Sequence, residues 1–231
     1  MSTKMIRTAA AAAVLYAARR YYRNWGTTKE ECRMSLLGDE HLRGPVDQTT
    51  EGVWIHASAS EVWPWLVQMG QDRGGLYSYE TLEKLVGLDY HNADRIHPEW
   101  QQLDPGDRVR LAPTGWMGLR DGFSMDVVEV VDQQSIVLRA PAPYRPFDTV
   151  WSFHLLPHWE DRCRLLVRTR TRLRNPGEIL TIELAGPAKA FLIRGILLGI
   201  KRRAEGRVQS QPDAAETIRG QARNRTQTAF Q

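Results

Sequence analysis

Along this chain the spacing of apolar residues changes period from one stretch to the next, and each change marks an element. After Ser58 the apolar positions Val62, Trp65, Leu66 and Met69 fall at i, i+3, i+4 and i+7, on one face of a helix. Ser58 and Glu61 stand where a capping box closes a helix N-terminus, and Gly70 stands where this one ends. Pro64 lies inside the run and predicts a bent first turn or a delayed start, because proline has no N–H and crowds the preceding turn. A second short helix is predicted over residues 78–86 on Tyr79, Leu82, Leu85 and Val86, stopping at Gly87. Ahead of both, residues 49–57 have strand composition, with Val53, Ile55 and Ala57 on one face and Trp54 and His56 on the other.

From Asp107 the period becomes two. Val109 and Leu111 alternate with Arg108 and Arg110, and runs at 124–131, 135–139, 149–156 and 162–174 follow between turn residues, which predicts an antiparallel meander. In the last run Arg162, Arg164, Arg168, Arg170, Arg172 and Arg174 share a face with Leu166, while Cys163, Leu165, Val167, Thr169, Thr171 and Leu173 share the other. The arginine face is expected to meet water, as a charged strand surface that resists edge pairing, and the other face to meet the core. After Asn175-Pro176-Gly177 a long helix is expected over 178–205, interrupted at Gly186-Pro187. Its second part, 191–200, is apolar almost all round, with Arg194 breaking the run. A stripe that wide implies a second contact besides the sheet: the N-terminal helix, a second subunit or a membrane surface.

The ends differ in character. Residues 8–18 form an Ala-rich apolar stretch, well short of the roughly 20 residues a membrane span needs. Arg19, Arg20 and Arg23 follow it with no clean cleavage site, so residues 5–23 read as a helix that packs on the domain or lies on a membrane surface. Residues 26–47 show little periodicity and read as a linker laid over the surface, and beyond Gly206 the chain turns polar and aperiodic, as a disordered tail would. The expected division is an apolar, basic N-terminal helix (1–26), a linker (27–47), one compact domain (48–205) and a tail (206–231). A length of 231 residues suits one such domain.

The formal charge of +4 belongs to the ends: residues 1–26 carry five basic residues and no acid, and the stretch from Lys201 carries seven basic against three acidic. The body between them is net acidic, which excludes nucleic-acid binding by charge, and Arg219, Arg223 and Arg225 of the tail lack interleaved aromatics. Cys32 and Cys163 have neither disulfide-framework nor zinc-site spacing, so a reducing, cytoplasmic setting is expected, membrane-associated where the N-terminal helix meets a bilayer.

Several segments carry a resemblance to a known family. They are Trp54 to Ala57 running into the stretch from Ser60 to Gly70, then Arg73-Gly74-Gly75 with Tyr77-Ser78-Tyr79, the run from His91 to Trp100, Gly106 to Val109, and Gly199 to Glu205. Over roughly residues 26–205 the chain resembles the START-like, SRPBCC or polyketide cyclase/dehydrase superfamily, in its actinobacterial branch. The resemblance implies an α+β helix-grip fold, an antiparallel sheet wrapped around a long C-terminal helix, with two short helices after the first strand. The N-terminal helix is extra to that core. Members carry lipids, sterols, hormones and polyketides, and some catalyse cyclisation, dehydration or hydrolysis. They share no catalytic residue to transfer, and a fold alone does not choose among functions.

Inward strand residues Trp151, Phe153, Leu155, Leu165 and Val167 are expected either to wall an apolar cavity or to fill a solid core, with Phe123, Met125 and Trp116 at its rim. Polar candidates concentrate on two loops: Arg73, Tyr77 and Tyr79 on one, and His91, Asn92, Asp94, Arg95 and Trp100 on the other. His91 with Asp94 would form a proton-transfer pair, and Arg73 or Arg95 would hold an anionic headgroup; the same residues would equally serve to pin a long loop. His91, Asp94 and His97 make a weak metal set, and neither metal nor cofactor is expected. The leading reading is a module that binds a lipid-, isoprenoid- or polyketide-like molecule. The alternatives are an enzyme of cyclase/dehydratase or hydrolase type in the same cavity, and a membrane-peripheral interaction module. A homodimer is compatible with each.

Overall fold

The computed structural model describes residues 7, 10, 13, 14, 16, 17, 19, 21–79, 87, 88, 91–140 and 148–228, with side chains described as far as 206 except at 117 and 176. The described residues between 7 and 22 are helical. Then follow α1 (Lys29–Arg33), β1 (Val46–Ile55), α2 (Ala59–Val67), β2 (Arg108–Ala112), β3 (Phe123–Val131), β4 (Ser135–Arg139), β5 (Thr149–Pro157), β6 (Cys163–Arg172) and α3 (Pro176–Thr228). The second helix expected over 78–86 falls for the most part outside the described residues.

Strands β2 to β6 run as a meander, each antiparallel to its sequence neighbour, and β1 joins the sheet beside β6, in the order β1-β6-β5-β4-β3-β2. Helix α3 packs on the inner face of this sheet, which is the helix-grip α+β architecture the resemblance implies. Alternation decides which residues meet it: Val53 and Ile55 of β1, Leu165 and Val167 of β6, Phe153 and Leu155 of β5, and Ile136 and Leu138 of β4 share one core with Ile193, Ile196, Leu197 and Ile200 of α3. Each of these side chains contributes ~1.5–3 kcal/mol through burial.

Helix α2 carries both halves of its capping box: Ser58 accepts from the Glu61 N–H and Glu61 accepts from the Ser58 N–H. It begins at Ala59, so Pro64 does not delay its start. The helix runs only three residues past the proline, and Val62, Trp63, Trp65, Leu66 and Val67 are all buried, so the anchoring offsets one missing hydrogen bond. Strand β1 begins at Val46, inside the stretch that reads as a linker.

The stretch before β1 carries a short helix, α1, and lies over the sheet. Residues 25–42 lie across the outer face of the sheet, and two members of the arginine face expected in water, Arg164 and Arg168, are buried beneath them, while Arg162, Arg170 and Arg172 stay partly exposed and Arg174 exposed. Arg168 is 1% exposed and Arg164 4%. Arg168 donates to Thr50 Oγ1 (3.0 Å), Met34 O (2.7 Å), Asp39 Oδ2 (2.8 Å) and Glu31 O (2.8 Å). Arg164 donates to both carboxylate oxygens of Glu31 (2.7 and 2.9 Å) and to Gly26 O (2.6 Å). The Arg164 guanidinium accordingly holds the Glu31 carboxyl below the usual carboxylate range. Helix α1 has its own capping box between Thr28 and Glu31, and Leu42 seals the far end of the cover against Val137 and Val150. The cover attaches through charge-assisted hydrogen bonds and carbonyls rather than an apolar stripe, so hydrophobic periodicity does not register it.

Helix α3 also departs from expectation. It runs unbroken through Gly186-Pro187 and continues past Glu205 to Thr228, where a disordered tail is expected. The Ala, Glu, Gln and Arg residues of that stretch are good helix formers. The second contact of residues 191–200 comes from α2 and the segment around Tyr77 and Tyr79, with Trp25 under Arg194 at 4.4 Å. The N-terminal segment is tied to the start of α3 and of β1 by Arg19 to Glu183, through two bonds of 2.8 Å, and by Arg23 to Asp47 at 2.6 Å. Among the described residues no helix is long and apolar enough to cross a membrane.

Arg168→Ala removes one partner from a buried pair and leaves the Met34 and Glu31 carbonyls without that donor, while Asp39 keeps the Leu36 N–H and Arg170. It is expected to cost ~3–5 kcal/mol in urea unfolding. A loss below ~1 kcal/mol would show that the outer cover is held by other contacts.

Candidate functional site

The inner face of the sheet is apolar at one end and polar at the other. On β1 the inward positions are Asp47, Thr49, Glu51, Val53 and Ile55, so the strand enters the core through three polar residues before its apolar pair. Register extends both characters sideways. Glu51 stands opposite Val167, which stands opposite Phe153, and Thr49 stands opposite Thr169, which stands opposite Trp151. The polar residues therefore begin the same cross-strand rows that Trp151, Phe153 and Val167 continue. Those three and Leu165 are buried, as the inner wall requires.

From above, α3 places Lys189 over this end, 3.8 Å from Asp47 Oδ2, and the N-terminal segment brings Arg23, which donates to Asp47 Oδ1 (2.6 Å) and Gln48 O (3.1 Å). A cavity of about 10 Å³, room for one water, lies among Arg23, Asp47, Glu51, Glu183 and Lys189. Glu51 is 0% exposed, and neither of its carboxyl oxygens has a hydrogen-bond partner; the Thr49 and Thr169 hydroxyls also have none. Each buried unpaired polar group costs ~1–3 kcal/mol. Burial pushes the Glu51 carboxyl up to about 7, against the pull of Lys189; the Thr49 hydroxyl is close enough to favour the ionised form, though outside hydrogen-bond geometry. Burial likewise lowers Lys189, opposed by Asp47 and Glu51. A carboxyl that titrates near neutrality beside an ammonium, at the head of an apolar wall, is suited to hold a polar headgroup or exchange a proton with it.

The loop residues do other work. Arg73 donates to Val67 O (3.3 Å), Trp100 O (3.1 Å) and Gln102 O (2.6 Å), so its guanidinium is spent on the backbone, and burial lowers its pKa. Asn92 Oδ1 accepts from the Tyr77 N–H at 2.6 Å. Tyr77 is fully buried at a left-handed φ of 60°, edge-on to Trp65 and beneath Arg203, and burial raises its phenol well above the ordinary value. Its backbone meets α3 at Gly199, where any Cβ would collide with the Tyr77 carbonyl; Gly195, one turn earlier, takes the Tyr79 ring, which stacks on Phe191 at 4.3 Å. Trp100 stacks on His97 at 4.2 Å.

His91, Asp94 and Arg95 are exposed. No hydrogen bond joins His91 to Asp94, while Asp94 and Arg95 line an open recess of about 480 Å³ with Trp65, Ile96, Arg202 and Arg203, near residue 206 of α3. The structure thus gathers the loop candidates around the turn after α2 and not at the polar end of the inner face.

Sequence reasoning did not single out Gln68, Glu51 or Lys189. Gln68 is fully buried and ties the 91–101 loop from beneath: its Nε2 donates to Arg95 O (3.1 Å), and its Oε1 accepts from the His97 N–H (3.1 Å) and Gln101 Nε2 (3.2 Å). For Glu51 a signal was present, since Thr49 and Glu51 share parity with Val53 and Ile55. Two further groups lie on the outer side of the sheet. His154 bonds Ser135 Oγ at 2.9 Å, and burial beside Arg168 lowers its pKa to about 4. Glu40, His41 and Glu129 bring ligand-type atoms within 4.8 Å of one another, with His41 Nε2 already 2.6 Å from a Glu129 oxygen.

No protein-family model and no curated protein sequence matches the chain. Among solved structures it is similar to norcoclaurine synthase from Thalictrum flavum, at 14% identity over 74% of this chain and 96% of that one, with a TM-score of 0.38. It is similar to a polyketide cyclase-like protein of Corynebacterium glutamicum, at 12% identity over 71% and 94%, with a TM-score of 0.40. A protein of Mycobacterium smegmatis matches at 12% identity over 72% and 99%, with a TM-score of 0.41. Scores of this size carry no functional argument, and the helix-grip fold is defined by the strand order and helix packing above.

Because Glu51 holds its proton more tightly in the native chain than in the unfolded one, native stability falls as pH rises from about 4.5 through about 7. Glu51→Gln has no proton to lose. Its stability relative to wild type is expected to rise across that range by up to ~3 kcal/mol, measured by urea unfolding at about pH 5 and about pH 8. An offset that is the same at both pH values would contradict the assignment.

Proposed function

We propose that the chain binds a hydrophobic small molecule, lipid-, isoprenoid- or polyketide-like, between the inner face of the sheet and α3, with its polar end at Thr49, Glu51, Thr169 and Lys189. The observation that carries this reading is Glu51: a fully buried carboxyl, both oxygens unpaired, at the head of a row that continues into Val167 and Phe153. A solid core would gain by replacing it with an apolar residue. A ligand with an apolar body and a polar tip satisfies wall and head together.

The same placement supports a second reading, a cyclase- or dehydratase-type activity in that space. Its proton-transfer group would be Glu51, since His91 and Asp94 stand in solvent. Peripheral membrane contact is supported by the exposed apolar side chains of the N-terminal segment and of α3, among them Val14, Tyr16, Leu180 and Leu184. Free Cys32 and Cys163 accord with a cytoplasmic setting.

Native mass spectrometry of the gently purified protein is expected to show a non-protein adduct near one per chain, released by solvent extraction and identified as a hydrophobic compound. A protein that carries no adduct and also fails to bind apolar dyes would contradict the reading.

A further inference from the structure

We propose that the exposed apolar face of α3 over residues 179–191, with the basic N-terminal segment beside it, docks on an anionic phospholipid surface; this rests on the reading of peripheral membrane contact and stands apart from ligand binding. The face is defined by what it lacks. Between residues 179 and 191 every exposed position of α3 is uncharged. The large ones are well exposed: Ile179 48%, Leu180 65%, Leu184 75% and Phe191 46%. Leu180, Leu184, Pro187 and Phe191 fall at i, i+4, i+7 and i+11, which makes one stripe roughly 17 Å long. The charged residues of the stretch turn to the protein instead: Glu183 accepts from Arg19, and Lys189 lies 3.8 Å from Asp47. A solvated helix face carries charged side chains, whereas a continuous apolar one marks a contact surface.

Charge decides what covers it. The N-terminal segment is tied to α3 where Arg19 binds Glu183 and where Tyr22 packs at Gly186. Residues 1–26 contain Lys4, Arg7, Arg19, Arg20 and Arg23 and no acid. Arg19 and Arg23 are matched by Glu183 and Asp47, so Lys4, Arg7 and Arg20 remain as charge that no acid of the segment offsets. The segment also repeats the stripe, since Ala10, Val14, Ala17 and Tyr21 are exposed at the same i, i+4, i+7 and i+11 spacing. At the start of α3, Arg139, Arg172 and Arg174 converge on the one carboxylate of Asp148, at 3.5, 3.2 and 3.8 Å. Glu178 is engaged there by the Arg174 N–H and the Asn175 amide, and with it counted the patch keeps a positive excess.

An apolar stripe with a basic border fits the surface of an anionic bilayer. The leucines enter the acyl boundary, Tyr16 and Tyr21 suit the headgroup level, and the cations meet lipid phosphates. A neutral bilayer matches the stripe but not the border. A second copy of the chain sets two positive borders against each other.

The test sediments the full chain with vesicles of phosphatidylcholine, alone or with about 30% phosphatidylglycerol, in about 50 mM and about 500 mM NaCl. At low salt the anionic vesicles are expected to bind at least ~10-fold more tightly than the neutral ones, and high salt to reduce that preference to about two-fold. Leu180→Gln combined with Leu184→Gln is expected to weaken binding at least ~10-fold without moving the thermal midpoint, because both side chains are exposed; Lys4→Gln combined with Arg7→Gln is expected to reduce the anionic preference. Equal binding to both vesicles overturns the inference but leaves peripheral contact standing. Binding that survives the paired leucine substitutions overturns the assignment of the face. If neither vesicle binds, the membrane reading fails with the inference, and a dimer in light scattering that the leucine substitutions dissolve would give the face to a second copy.

Discussion

A six-stranded sheet has two faces, and each must be covered before its strands are stable. Here the covers are made of different chemistry. The inner face takes α3 by apolar packing, with Ile193, Ile196, Leu197 and Ile200 set against strand residues of matching parity. The outer face takes the stretch from Trp25 to Leu42 by charge: Arg164 and Arg168 rise from β6 and are roofed by Glu31, Asp39 and backbone carbonyls. Buried guanidinium groups are tolerated only when their donors are used, and Arg168 makes four bonds of 2.7 to 3.0 Å.

The outer cover bears on the inner site. Residues 25–42 lead into β1, whose first inward residues are Asp47, Thr49 and Glu51, so the cover and the N-terminal segment together fix where the polar end begins. Arg23 reaches both Asp47 and Glu183 from that segment, joining the start of β1 to α3. At the opposite end the helix is held by close approach: Gly195 and Gly199 admit the Tyr79 ring and the Tyr77 backbone, while Asn92 and Gln68 fasten the loop alongside. The packing of α3 on the inner face is thus bounded by a charged junction at one end and a tight backbone contact at the other.

What was legible in the sequence follows from this division. Period two marked β2 to β6 to within a residue or two, and the Ser58 and Glu61 pair marked the start of α2, because both signals are local. The roofed arginines were not legible: Arg168 finds Asp39 at a separation of 129 residues, and an alternating arginine strand looks the same whether water or a carboxylate faces it. Glu51 was half legible. Its parity with Val53 was readable, but the chain before Thr49 read as a linker, so the row of inward polar residues lost its first member, Asp47. His91 and Asp94 looked catalytic by residue type, whereas the loop is organised by Gln68, an uncharged residue on the core side of α2.

The most direct test of the central claim, that the inner face ends in a polar site built for a ligand head, is the electron density of the protein crystallised as it comes from cells, without added lipid or dye. The account predicts continuous non-protein density between the sheet and α3, running beside Val167 and Phe153 and ending within hydrogen-bond distance of Glu51, Thr169 or Lys189. A space filled by protein side chains, with Glu51 paired to a protein group or turned outward, would contradict it.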